Sequence, residues 1–102
     1  MAERAQARVE LLDLSAIEQM AGKIREAGAR PEMSEKVRRW RDKHPAVPDD
    51  LDGFSFALVG DSLMYLHRAP DGMIVPHTWY ADGTEKVYTD LPHAEMAYEG
   101  QA

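Results

Sequence analysis

Residues 54–91 read FSFALVGDSLMYLHRAPDGMIVPHTWYADGTEKVYTDL, and how this stretch divides into strands decides the fold. It contains both Phe residues, three of the four Tyr and one of the two Trp. Gly60-Asp61, Asp71-Gly72 and Asp82-Gly83 punctuate it. An Asp-Gly step between aliphatic and aromatic runs is the strongest short hairpin signal, because Gly tolerates positive φ and Asp can visit it. The spacing predicts strands near 54–59, 62–68, 73–80 and 85–90, joined as an antiparallel meander.

Two central residues in each loop set Phe56 opposite Tyr65, His67 opposite Ile74 and Tyr80 opposite Glu85. Alternation then sorts the side chains into two faces. One face gathers Phe56, Tyr65, Ile74, Tyr80 and Val87 and reads as core. The other gathers Met64, Leu66, Val75, His77, Trp79 and Tyr88, which is too apolar for a solvated exterior. The two strand histidines, His67 and His77, fall on opposite faces in this register. One extra residue at any turn exchanges the faces of everything after it. Pro76 cannot donate to a ladder, so it belongs where pairing to the fourth strand runs out.

Upstream, residues 3–29 are rich in Ala, Glu, Arg, Leu and Gln, with Val9, Leu12, Ile17, Met20, Ile24 and Ala27 at helical spacing. Ser15 and Glu18 match a capping box. The segment reads as one long helix, or as a short element to Asp13 followed by a helix, with RVELLDL (8–14) as an added strand in a further reading. A second helix spans 31–44, begun by Pro31 and stopped by Pro45, with Met33, Val37 and Trp40 on its buried edge. Residues 45–53, PAVPDDLDG, form a connector too short to separate domains. Asp90-Leu91-Pro92 starts a short C-terminal helix over 91–99.

These readings combine into one α+β domain over residues 1–102. Two to three N-terminal helices (3–44) pack on one face of a four-stranded antiparallel meander (54–90), followed by the short helix.

Charge divides the chain. Residues 1–48 carry ten Lys/Arg against eight Asp/Glu, while 49–102 carry two against ten, which gives the net −6. The acidic half repels phosphate and disfavours nucleic acid. No Cys is present, so disulfides and thiolate metal sites are excluded and a reducing, cytoplasmic setting is expected. No apolar run is long enough to span a membrane.

No catalytic residues are assigned. His67, His77, His93, Asp61, Ser62 and Tyr80 are scattered, and Ser62 lacks the strand–turn–helix setting of a nucleophile elbow. His77 and His93 lack a third ligand at convincing spacing, so neither a metal nor a cofactor is expected. The expected function is a small non-enzymatic protein–protein interaction module, of the inhibitor, antitoxin- or immunity-like, or phage-type regulatory kind. It would bind a protein partner or a second copy through Met64, Leu66, Val75, His77, Trp79 and Tyr88. The alternative is a nucleic-acid-binding regulator in a winged-helix-like order, contacting phosphates through Lys36, Arg38, Arg39, Arg41 and Lys43 on helix 34–44.

Overall fold

Asp13 decides where the first helix begins. Its Oδ1 accepts the Ala16 N–H at 2.8 Å, so helix α1 (Leu14–Gly28) starts directly after it. Ser15 therefore lies inside the helix and the expected Ser15–Glu18 box does not form its cap. With the helix started at Leu14, the four residues before the cap are free to extend. In the computed structural model, which describes residues 8–97, Arg8–Leu11 form strand β1. The expected helical residues 3–7 and the end of the C-terminal helix, 98–99, lie outside the described residues.

The remaining elements are α2 (Met33–Lys43), β2 (Phe54–Val59), β3 (Ser62–Arg68), β4 (Ile74–Trp79), β5 (Glu85–Thr89) and α3 (Leu91–Ala97). The fold is α+β. The four expected strands form the expected antiparallel meander, but the sheet has five strands in the order β1-β5-β4-β3-β2 and is mixed, because β1 pairs parallel with β5.

The Gly60-Asp61 turn has two central residues, with Val59 opposite Ser62, and the Phe56 and Tyr65 rings stack 4.9 Å apart. The next two loops each have three. Ala69 N–H donates to Met73 O at 2.8 Å, and Tyr80 N–H to Thr84 O at 2.9 Å. Gly72 and Gly83 sit at φ 92° and 86°, as a three-residue hairpin with a left-handed last position requires. The extra residue at the first loop puts His67 opposite Val75, not Ile74, and the one at the second puts Trp79, not Tyr80, opposite Glu85. The first shift moves β4 to the other face; the second returns β5. A bulge at Ser55 (φ 56°) also turns Phe54 to face Leu66. Pro76 lies opposite Leu66, one position beyond the last β4–β5 pair, so its missing N–H falls where that ladder ends.

Both sheet faces are covered, which corrects the expectation of helices on one side only. Ile17, Ala21 and Ile24 of α1 recur at i, i+4, i+7 and are buried, and Ala21 and Ile24 pack on Leu66 with Phe54, Met64 and Ile74. On the other face Met33, Val37 and Trp40 of α2 join Leu63, Tyr65 and Trp79, with Val47 from the connector buried among them. Helix α2 runs along β2, the edge opposite β1, and Leu58 N–H approaches the Met33 sulfur at 3.3 Å. The connector lies so close that a Cβ on Gly83 would come within 2.9 Å of Ala46.

Candidate functional site: the β1 edge and the histidine face

The six residues expected to share a docking face do not share one. Met64, Leu66 and Tyr88 point toward the α1 side, and Val75, His77 and Trp79 toward the α2 side. Four are core by exposure: Leu66 0%, Trp79 2%, Val75 4% and Tyr88 8%. The extra residue in the 69–73 loop carries β4 to the α2 side, and the one in the 80–84 loop returns Tyr88 to the α1 side.

What the structure does gather is a row of rings. Phe56, Tyr65 and His77 stack in sequence across β2, β3 and β4, and the His67 ring meets His77 edge-on at 5.5 Å. The two strand histidines thus lie on the same face, against expectation. His77 Nδ1 is 2.9 Å from Glu85 Oε2 on β5, and both side chains are nearly buried. A carboxylate only accepts, so Nδ1 carries the proton and holds the imidazole in one orientation. His77 Nε2 is enclosed and has no hydrogen-bond partner among the described residues. An oriented imidazole is half of a general-base arrangement, but no nucleophile is hydrogen-bonded to this one. Among the described residues no group of three or more His, Cys, Asp or Glu is placed to hold a metal ion.

His93 is not part of this row. Its Nδ1 and Nε2 each lie 2.6 Å from a carboxylate, Asp90 and Asp71, and so tie the start of α3 to the β3–β4 loop. Asp90 first and Asp71 second push the His93 pKa above the ordinary imidazole value. A raised folded-state pKa stabilises fully below the unfolded pKa, and that contribution disappears as pH rises through the folded value. Stability to urea should therefore fall from mildly acidic to neutral pH, and His93→Gln should flatten this part of the slope. An NMR titration of His93 at the ordinary imidazole pKa would refute the clamp.

The basic run on α2 is largely internal to the helix surface. Arg38 pairs with Glu35 and with Asp42 (3.3 Å), and Arg39 with Glu35 (3.3 Å). The same contacts hold the Glu35 carboxyl below its ordinary pKa, with the Arg38 hydrogen bond foremost. Arg41 donates to the Pro48 and Asp49 carbonyls and pins the connector. Lys36 and Lys43 remain exposed. Three of the five expected phosphate contacts are thus engaged within the protein, which weakens the electrostatic footprint a nucleic-acid reader needs. A groove of about 550 Å³ beside α2, lined by Val37, Arg38, Arg41 and Phe56, is rimmed by these engaged groups.

No family model matches the chain, and no similar curated protein or solved structure was found. No helix among the described residues is long and apolar enough to cross a membrane.

The further reading of RVELLDL (8–14) as an added strand matches Arg8–Leu11, but its edge was not among the expected site residues. β1 is an edge strand, and no described residue pairs with its outer side. Leu11 and Thr89 are register partners, which brings the end of β1, the start of α1 and the start of α3 to one corner. Leu11, Leu14 and Leu91 stand there 51%, 53% and 50% exposed. The available signal was the alternation of Arg8, Val9, Glu10 and Leu11 ahead of the Asp13 cap.

Proposed function

We propose that the chain is a small non-enzymatic protein–protein interaction module, and that it docks through the outer edge of β1. One observation carries this reading: the outer side of β1, unpaired among the described residues, adjoins three half-exposed leucines at one corner of the fold. An edge strand presents unpaired N–H and C=O groups that pair readily with another strand, and proteins usually blunt such edges. Here β2, the other edge, is sheltered by α2, while β1 is approached by α3 and bordered by the half-exposed Leu11, Leu14 and Leu91. The acidic, cysteine-free sequence suits an inhibitor, an immunity-like protein or a regulator in the cytoplasm.

Leu11→Asp tests the site. Leu11 is half-exposed, so the fold should stay within about 0.5 kcal/mol of wild type. Association, with itself or with any captured chain, should be lost in sedimentation and pull-down measurements. Undiminished association by a folded Leu11→Asp protein would move docking elsewhere.

A further inference from the structure

We infer that β1 pairs antiparallel with β1 of a second copy of this chain, in the register that sets Val9 opposite Val9 of that copy. This rests on the edge reading above and names its occupant.

Parallel pairing fixes which backbone groups β1 has left. Leu12 N–H donates to Thr89 O at 2.9 Å. In a parallel ladder alternate residues face the neighbour, so Arg8, Glu10 and Leu12 direct their amides and carbonyls to β5. Val9 and Leu11 direct theirs outward. A two-fold antiparallel pairing must set outward residues against outward residues, so its axis passes through a residue and not between two; keeping at least one residue of Arg8–Leu12 on each side of the axis leaves Val9, Glu10 or Leu11.

Side chains choose among the three. An axis at Glu10 sets Glu10 directly against itself, and like charges opposite each other destabilise a pair. An axis at Leu11 sets Glu10 against Leu12 and Val9 against Asp13, carboxylates against aliphatics. An axis at Val9 sets Arg8 against Glu10 twice by symmetry, while the two Val9 residues exchange two backbone hydrogen bonds.

The local chemistry fits this register. Arg8 is exposed; its charge acts on the Asp82 carboxylate, but it makes no close ion pair among the described residues, which leaves its guanidinium open to a further partner. Glu10 is already held by Lys86 at 2.7 Å, with its side chain 42% exposed, so it keeps room for a second cation. Charges lie on the face shared with Lys86 and Tyr88; Val9 and Leu11 lie on the opposite face, aligned with Val87 and Thr89. The strand is thus self-complementary on both faces, which a second copy satisfies and an arbitrary strand does not.

Sedimentation equilibrium of the full chain over a wide concentration range tests the pairing. Wild type should dimerise. Arg8→Glu and Glu10→Arg should each weaken dimerisation by about tenfold or more, because each makes both cross-strand pairs repulsive. An equimolar mixture of the two variants should recover dimer, since each then faces opposite charges. Far-UV circular dichroism and urea midpoints serve as fold controls. A dimer insensitive to either reversal, or a mixture that stays monomeric, overturns the register and with it the proposal. A wild-type monomer whose Leu11→Asp variant loses a captured protein overturns self-pairing but keeps the docking edge. A wild-type monomer unaffected by Leu11→Asp in every assay overturns both.

Discussion

Trp79→Ala should destabilise the fold by ~3–5 kcal/mol, the usual cost of emptying a large aromatic site in a core. The indole is buried opposite Leu63, and its Nε1–H donates to the Tyr65 hydroxyl at 3.4 Å. It sits in the same cluster as Trp40 and Val47, so its removal opens the junction of sheet, helix α2 and connector together. A domain of this size has a total stability of about 5–15 kcal/mol, so the loss is a large fraction of the whole. Urea unfolding should show a large drop in midpoint, and Trp79→Phe, which keeps most of the volume, should lose less. The competing expectation from the sequence was a surface anchor whose removal spares stability. A variant as stable as wild type that no longer associates would restore that expectation and remove Trp79 from the core.

Gly53→Ala should be nearly as damaging, although it adds one methyl group. A Cβ at this position would lie 2.1 Å from Tyr65 Cδ2 and 2.7 Å from the Leu66 carbonyl oxygen. Neither neighbour can give way. Leu66 O is sheet backbone, and the Tyr65 ring is stacked between Phe56 at 4.9 Å and His77 at 5.0 Å. The connector must therefore lift, loosening Val47 and the His67 Nδ1 contact to Asp52 O at 2.8 Å. Overpacking of this kind typically costs 1–3 kcal/mol, and with a backbone neighbour we expect about 3 kcal/mol. Unfolding should be paired with NMR shifts of the Tyr65 and His67 rings. A stable variant with unmoved shifts would show that the connector is not pressed on this face.

The strands of the meander and helix α2 were readable because their signals are local. Asp-Gly steps bound the runs, and Met33, Val37 and Trp40 keep a helical spacing that the structure buries on one side. The faces of β4 were not, because Asp-Gly suits both a two-residue and a three-residue loop. Pro70 was the overlooked clue. A two-residue loop between His67 and Ile74 would place Pro70 at a position needing positive φ, which its ring forbids. At 80–84 the longer loop is held by Asp82, whose Oδ1 accepts from both the Thr84 N–H and hydroxyl. β1 was obscured for a different reason. Four residues are too few for periodicity to separate a strand from a helix start, and what fixes them as a strand is pairing with residues far along the chain. The candidate site suffered accordingly: the miscounted loops merged residues of two faces into a single surface, and the edge strand with no outer partner among the described residues lay in the segment read mainly as helix.

The first and fifth strands of the chain are partners. Val9 pairs with Val87, so the strand synthesised first must wait for the strand synthesised last. Contacts between such distant positions close a long loop at a high entropic cost. On a ribosome, RVEL has no partner until the whole meander has emerged. A chain that is truncated, or stalled before Glu85, has no β5 on which to seat β1. The β1 strand is thereby a property of chains that have completed β5, and the proposed pairing edge exists only in them.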